Sequence, residues 1–319
     1  MVSARRAGGT IRTKQGERLV NTEALLTCLG TPACVVTQVS AGMIIGMLIF
    51  LVASGVTLIF GVLKIVNFTH GSFYMLGVYF ALTAYNVSGS YTVAVLAGAL
   101  GVGVFGLLFE RFFISRVYNA DVLMQLLVCY AFILILDDVV KTVWGGDFLK
   151  MSMPDAFALP PIKVWDGYVP PFYAFLTVFA VLIAVLVGAL LGLTRFGKIV
   201  RAAAVNRQMV GVLGINTTLV YAMIIGLGSV LAGLAGALAA PVRAAVPGMG
   251  FDILIESFIV TIIGGMGSMG GAFIAAIGIG MIRSFGTIGF PLATEGVMFA
   301  IMALVLLIKP TGLFGGRPA

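Results

Sequence analysis

The single histidine, His70, is the residue of this chain whose side chain could most readily do acid–base or metal chemistry. It lies in GVLKIVNFTHGSFYMLG (61–77), beside Asn67 and Gly71. An imidazole can relay protons or bind a metal ion, and both roles need partner side chains. One histidine cannot form a histidine-ligated metal cluster, and no serine–histidine–aspartate set with a supporting residue is evident. We therefore expect no catalytic residue, no metal site and no cofactor.

Carboxylates within apolar stretches are the other chemical candidates, and they are Asp137, Asp138, Glu256 and Glu295. Ionisable residues within membrane spans are functional candidates because a charge in hydrocarbon is costly. Asp137 and Asp138 stand at helical spacing from Lys141, which favours an ion pair near the end of a span. Arg283 is expected to extend its charge to the membrane surface. Glu256, in FDILIESFIVTIIGG, is the strongest candidate for a transport path.

The surrounding chain has a composition suited to lipid. Of its 319 residues, 61% are hydrophobic and only 10% are charged, whereas soluble domains carry about 25% charged residues. The apolar runs are continuous and of span length, which indicates helices rather than the alternating strands of a β-barrel. We predict an all-α polytopic membrane protein with roughly eight to ten hydrophobic segments, some of them broken or re-entrant.

The candidate spans cover about 39–60, 72–86, 91–109, 122–143, 171–193, 217–240, 253–264, 271–285 and 292–308. The polar, basic residues 1–36 are predicted to be a disordered tail, 37–315 the transmembrane domain, and 316–319 a C-terminal tail. The three cysteines, Cys28, Cys34 and Cys129, are expected to form neither a disulfide nor a metal framework, because their number is odd.

Charge sets the expected orientation. The net charge of +7 is spread over polar stretches between spans, so we expect no nucleic-acid partner. The stretch 194–216 contains Arg195, Lys198, Arg201 and Arg207 without an acidic residue, which predicts a cytoplasmic connection. An even number of crossings would put the N-terminus inside and an odd number outside, and the sequence leaves both open.

Two glycine-rich motifs resemble nucleotide-binding loops, but neither has the neighbouring residues and secondary structure that such a loop needs. GVGVFG (101–106) lies within a span rather than between a strand and a helix. GLTRFGKI (192–199) has Ile199 where a phosphate-binding loop needs serine or threonine to hold Mg²⁺. Any ATP-driven work must therefore come from a partner chain.

The cytoplasmic connection 194–216 is predicted to contain one amphipathic helix. Val205, Met209, Val212 and Leu213 recur at helical spacing on one face. Such a helix either lies on the membrane surface or docks into a groove of a cytoplasmic partner. Periodicity leaves both readings open.

Glycines interrupt the apolar pattern at IIGGMGSMGGAF (262–273), and the polar cluster after residue 63 is a second interruption. Broken backbone is tolerated within a membrane only where protein buries it or water reaches it, and transporters place their sites at such breaks. The residues predicted to line a translocation path are Asn67, His70, Gly71, Glu256, Gly264, Gly265, Gly267 and Ser268.

At these motifs the chain resembles a known family. GVTLIFGVLKIVNFTHGSFYMLGVY (55–79) resembles the GLTLIFG…INFAHG…MLGAY pattern of branched-chain amino-acid (LIV-type) permeases of ABC importers. GKIVRAAAVNRQMVGVLGIN (197–216), PGMGFDILIESFIVTIIGGMGSMGGAF (247–273) and KPTGLFG (309–315) resemble three further segments in order. The resemblance covers about 38–315 and is to the LivH-like subunit.

The resemblance implies a transport subunit rather than an enzyme. Its expected partners are a second, LivM-like permease, two cytoplasmic ATP-binding subunits and a periplasmic substrate-binding protein, assembled in the lipid bilayer of the bacterial inner membrane. The segment 201–216 would be the coupling helix, with Arg201, Ala202, Asn206, Val210, Gly214 and Ile215 as ATPase-coupling residues.

The implied substrates are leucine, isoleucine, valine or related amino acids. Ser72 and Glu256 depart from the family pattern, so urea or short amides stay open as substrates. Val210 replaces the alanine of the pattern, so the docking face differs slightly. A stand-alone secondary transporter is a further alternative, and it would need carboxylates such as Glu256 and Glu295 to couple an ion or proton.

Overall fold

A computed structural model describes residues 22–118 and 120–315 of the chain, and these residues are mostly helical. The helices are α1 (Thr22–Leu29), α2 (Pro32–Leu63), α3 (His70–Ser88), α4 (Tyr91–Phe109), a π-helical turn (Glu110–Ile114), α5 (Ser115–Val117), α6 (Val122–Trp144), α7 (Pro171–Leu193), α8 (Arg195–Val205), α9 (Arg207–Val212), α10 (Thr217–Ala239), α11 (Met249–Gly264), α12 (Met269–Gly289) and α13 (Thr294–Ile308). The connection after α6 contains a 3-10 turn (Asp155–Phe157) and an antiparallel hairpin of β1 (Ile162–Val164) and β2 (Gly167–Val169).

Six helical segments of the described chain are long and apolar enough to cross a membrane, so the protein is a multi-pass membrane protein. They are Pro32–Leu63, Tyr91–Val117, Val122–Trp144, Pro171–Leu193, Thr217–Ala239 and Met269–Gly289. Each of the other three predicted spans also falls on a helix, namely α3, α11 or α13. The total of eight to ten hydrophobic segments stays a prediction.

The centre of the bundle is α2, whose residues are almost continuously buried from Met47 to Ile59. Its 32 residues make a helix about 48 Å long, and it packs against α3, α7, α10, α11 and α12. Glycines allow the closest contact, because a Cβ on Gly42 would lie 3.1 Å from the carbonyl oxygen of Gly280 in α12. Gly42, together with Gly46 one turn later, which also approaches the backbone of α12, therefore forms a helix-packing surface.

The N-terminal region corrects two expectations. Cys28 and Cys34 form a disulfide with Cα atoms 5.2 Å apart, so the prediction of no disulfide was wrong. An odd number of cysteines prevents the pairing of all three but not of two, and the short turn between α1 and α2 brings this pair together. Cys129 is free and buried.

The predicted disordered tail over 1–36 extends too far, because α1 and the start of α2 are helical within it. Pro32 at the first turn of α2 suits a helix start, since proline has no N–H group to leave unpaired. Residues 1–21 and the predicted C-terminal tail 316–319 lie outside the described residues.

Candidate functional site

The first predicted break follows α2, which ends where Lys64 adopts a left-handed conformation with φ of 58°. The next residues are not helical, and several of their polar groups are paired within the protein, whereas the buried Nδ2 group of Asn67 has no hydrogen-bond partner among the described residues. The Oδ1 atom of Asn67 accepts a hydrogen bond from the Thr69 N–H group at 3.1 Å, and the Thr69 hydroxyl donates to the Cys129 carbonyl at 3.2 Å. The break is therefore an ordered turn inside the bundle.

His70 begins α3 and is completely buried. Its Nε2–H group donates to the carbonyl oxygen of Val52 at 3.2 Å, and a Cβ on Gly55 would lie 2.7 Å from the ring. The Nδ1 atom has no hydrogen-bond partner among the described residues. The described residues hold no cluster of three His, Cys, Asp or Glu side chains that could bind a metal ion.

Gly71 brings the first turn of α3 against the first turn of α11, because any side chain at Gly71 would meet the Gly250 carbonyl and Leu254. α3 starts beside Val52 and α11 starts beside α3, so both helices begin within the bundle. Their N-terminal ends carry partial positive charge, and they converge next to the middle of α2.

The second predicted break separates α11 from α12. Gly265 and Gly267 have φ angles of 100° and 91°, which only glycine adopts readily. Ser268 caps α12 by accepting a hydrogen bond from the Gly271 N–H group at 3.2 Å. The C-terminal segment covers this turn, because the Leu313 N–H donates to the Ile263 carbonyl at 2.8 Å.

A cavity of about 320 Å³ joins this second break to the connection 194–216. Its walls include Gly61 of α2, Gly267 of the break, Gly192 at the end of α7 and Arg201 of α8. The Arg201 guanidinium also donates to the Leu191 carbonyl. The structure thus brings a predicted path residue, Gly267, and a predicted coupling residue, Arg201, to one cavity.

Glu256 lies in a separate place, on α11 facing α12 and α13. It is buried and forms an ion pair with Arg283, so Arg283 does not extend to the membrane surface as expected. The partner could not be read from sequence, because the two residues stand on different helices. By contrast, the expected pair of Asp138 and Lys141 is present, with Nζ and Oδ1 3.3 Å apart.

The connection 194–216 contains two helices rather than the predicted one. Asn206 adopts an extended conformation (φ −150°, ψ 97°) between α8 and α9, and its side chain accepts a hydrogen bond from the Met209 N–H at 2.9 Å. Thr194 caps α8 in the same way through Gly197, and Gly214, with φ of 80°, follows α9. Asparagine is a preferred N-cap residue, so the sequence did carry a signal for this break.

The predicted apolar face points away from the bundle. The side chains that we name the coupling crest are 58–89% exposed: Val205, Met209, Val212 and Leu213. Among the predicted coupling residues, Arg201, Ala202 and Gly214 are exposed, Val210 is buried and Ile215 is half-buried. Val210 therefore anchors α9, while the crest is free for contact.

The contacts that hold α9 join distant parts of the chain and were not predicted from the sequence. The Arg207 guanidinium lies 4.7 Å from the ring centre of Tyr221 and 5.7 Å from that of Tyr118. The Tyr118 hydroxyl donates to the carboxylate of buried Glu110 at 2.6 Å. Burial and the adjacent Glu110 raise the pKa of the Tyr118 phenol, which keeps it a hydrogen-bond donor.

Comparisons with known proteins agree with this architecture. The family model described as "Branched-chain amino acid transport system / permease component" matches residues 38–307. The chain is 30% identical to the high-affinity branched-chain amino acid transport system permease protein LivH of Escherichia coli K12, over 88% of this chain and 95% of that protein. It is 28% identical to BraD of Pseudomonas aeruginosa over the same shares.

More distant relatives are also found. The probable branched-chain amino acid transport permease LivH of Methanocaldococcus jannaschii is 30% identical over 84% of this chain and 89% of that protein. The fructose import permease FruF of Bifidobacterium longum is 29% identical over 41% of this chain and 39% of its own length. No solved structure matches the chain.

Proposed function

From the premise that the chain belongs to the family of branched-chain amino-acid transport permeases, we propose that it imports leucine, isoleucine, valine or related amino acids as one of two permease subunits of an ATP-driven importer. Like its relatives, it is a membrane transport subunit and not an enzyme. Its proposed partners are a second permease, two cytoplasmic ATP-binding subunits and a periplasmic binding protein. The proposed location is the bacterial inner membrane.

The exposed coupling crest is the observation that carries the ATP-driven mechanism. The crest is apolar, lies on a connection rich in basic residues, and is held by Arg207 between two tyrosines. An amphipathic helix that presents apolar side chains to water is suited to a groove in a partner protein. The crest would transmit the movement of an ATP-binding subunit to the permease.

The transmission route that we propose runs through the cavity shared by Arg201 and Gly267. A shift of α8 would change the walls of this cavity and act on the turn between α11 and α12. The first break, where α3 starts at His70 beside Gly250 of α11, is the other part of this proposed route. Breaks of this kind let parts of a helix move separately within a membrane.

The test is transport by the complete importer in proteoliposomes. We would co-express the chain with a second permease, ATP-binding subunits and a binding protein from the same genome, and measure uptake of radiolabelled leucine. We expect uptake that needs both the binding protein and ATP on the ATP-binding-subunit side, with isoleucine and valine as competitors. Competition by urea or acetamide instead would assign an amide substrate.

Leucine uptake by the chain alone, driven by an ion gradient without ATP, would overturn the importer assignment in favour of a secondary transporter. A matched control is the same importer with an ATP-binding subunit that binds ATP without hydrolysing it. That control should retain the assembled complex and lose uptake.

A further inference from the structure

A cleft between α11 and α13 has three carboxylates in its walls, more than the ion pair of Glu256 with Arg283 uses. Its walls are Asp252, Ile255, Glu256, Ile259, Glu295, Met298 and Phe299, and the space that they enclose is about 70 Å³. This space is smaller than the sites that enclose whole small molecules, and it suits a single ammonium-sized group. The walls combine carboxylates with aliphatic and aromatic side chains, so the cleft offers both a charged and an apolar surface to one ligand.

Glu256 supplies the most direct sign of a ligand. Its side chain is 8% exposed, and one carboxylate oxygen, Oε1, pairs with Arg283. The other oxygen, Oε2, is buried and has no hydrogen-bond partner among the described residues. A buried carboxylate oxygen without a donor is costly, and a ligand carrying N–H groups would remove that cost.

The other two carboxylates of the cleft are exposed. Asp252 stands in the first turn of α11 and Glu295 in the first turn of α13, and both have open solvent-facing surface. Phe251 and Phe299, which stand beside them on the same helices, are 45% and 44% exposed. Carboxylates within membrane spans face a watery cavity or a partner rather than lipid, so this face of the chain is expected to border water or a partner.

The charge of the cleft is unbalanced. Arg283 lies within electrostatic reach of Asp252, Glu295 and a second arginine, Arg243. With Glu256, the cleft therefore has three carboxylates, of which Glu256 pairs with Arg283, so carboxylates are in excess. A ligand with one ammonium group would reduce this excess and would also supply N–H donors for the free oxygen of Glu256.

We propose that this cleft binds the ammonium group of a transported aliphatic amino acid, with the free Glu256 oxygen as the main acceptor. Asp252 and Glu295 attract and surround the ammonium, while the aliphatic side chain lies at the mouth of the cleft beside exposed Phe299. Arg283 positions Glu256 and prevents it from taking up a second orientation. This assignment rests on the proposed function and identifies which end of the substrate this subunit recognises.

The experiment measures binding of radiolabelled leucine to the complete importer in lipid nanodiscs without the binding protein. Isoamylamine keeps the ammonium and lacks the carboxylate, whereas 4-methylpentanoate keeps the carboxylate and lacks the ammonium. We expect isoamylamine to compete with leucine and 4-methylpentanoate not to compete. Equal competition by 4-methylpentanoate would overturn the assignment.

Variants test the named carboxylates. Glu256→Gln keeps the shape of the side chain and should weaken leucine binding by about tenfold or more, the loss expected for a charge-assisted hydrogen bond. Because Glu256→Gln leaves Arg283 unpaired and could harm folding, the exposed pair is tested separately as Asp252→Asn with Glu295→Gln. This double variant should also weaken binding, with the thermal unfolding temperature unchanged.

The control variant is Asp138→Asn, which removes an exposed carboxylate elsewhere in the chain and should leave leucine binding unchanged. If the unmodified importer takes up leucine while the double variant and Glu256→Gln bind it normally, this cleft is not the site and the proposed function stands. If the unmodified importer neither binds nor takes up leucine, the proposed function itself fails, and the ammonium assignment fails with it.

Discussion

The Nε2–H group of His70 donates a hydrogen bond to the carbonyl oxygen of Val52, and the two atoms are 3.2 Å apart. Val52 stands eleven residues before the end of α2 at Leu63, so the chain turns back by about 16 Å before α3 begins. The imidazole fills the space beside Gly55 and joins the start of α3 to the middle of α2. This ring therefore fixes a re-entrant turn.

Replacing His70 should mainly destabilise the bundle. His70→Ala removes the hydrogen bond to Val52 and leaves a cavity beside Gly55, which together cost about 2–4 kcal/mol. His70→Gln keeps an N–H donor and should cost less. Thermal unfolding in detergent measures both effects. Normal unfolding of His70→Ala together with complete loss of uptake would instead assign the imidazole a direct part in transport.

A second prediction concerns the contact of α3, α4 and α10. A Cβ on Gly77 would lie 2.5 Å from the Gly233 carbonyl oxygen, and a Cβ on Gly98 would lie 2.9 Å from the Gly77 carbonyl oxygen. Gly77→Val should force these helices apart and cost about 1–3 kcal/mol. The control is Gly188→Val, because nothing lies within 4 Å of the position that its Cβ would take.

The yield of monodisperse protein in size-exclusion chromatography measures this difference. We expect a loss for Gly77→Val and a yield near that of the unmodified protein for Gly188→Val. Equal yields for the two variants would show that α3 and α10 have room to separate, contrary to the close approach of their backbones.

Local patterns in the sequence predicted the positions of the helices, the two breaks and one exposed helix face. Apolar runs located the helices, and the unusual residues after Leu63 and around Gly265 marked the two breaks. The 3.6-residue periodicity placed Met209 and Val212 on one exposed face. Each of these features follows from residues close together in the chain.

Pairings between distant elements could not be predicted in the same way. Arg283 meets Glu256 because α12 returns beside α11, and Arg207 meets Tyr118 across about ninety residues. Periodicity within one helix contains no information about its neighbour. The disulfide was missed for a different reason, since the count of three cysteines outweighed the close spacing of Cys28 and Cys34.

The disulfide yields a third prediction, about membrane orientation. Five helices, α2, α3, α4, α6 and α7, separate Cys28 and Cys34 from the basic connection 194–216. An odd number of crossings places the disulfide on the opposite, outer side if that connection is cytoplasmic. Disulfides persist in that oxidising compartment.

Labelling of spheroplasts with a membrane-impermeant maleimide measures this orientation. We expect no labelling before reduction and labelling of both cysteines after treatment with an impermeant phosphine. Buried Cys129 should stay unlabelled in both conditions, which makes it an internal control. Labelling that requires permeabilised membranes would place the N-terminus inside and contradict this crossing order.

A fourth prediction concerns the support of α9. Arg207→Ala removes the guanidinium from between Tyr118 and Tyr221 and should loosen α9, at a cost of about 0.5–2 kcal/mol. Arg207→Lys keeps the charge without the planar group and should have a smaller effect. Protease cleavage of the 194–216 connection should be faster in the alanine variant. Unchanged cleavage would show that Val210 and the Asn206 cap hold α9 without the arginine.

The coupling crest gives the last prediction. Val212→Glu puts a charge on an apolar side chain that is 83% exposed and lies at the end of α9, so it should spare the fold of this chain. A charge buried in an apolar groove costs several kcal/mol, and the ATP-binding subunits should then dissociate during affinity purification. The matched control is Leu159→Glu. Leu159 is also an exposed aliphatic residue (62% exposed), but it lies on the connection between α6 and α7. Loss of the ATP-binding subunits from both variants would point to general damage. Retention of these subunits by Val212→Glu would show that they dock elsewhere, because an apolar groove that covers the crest would not accept a buried carboxylate.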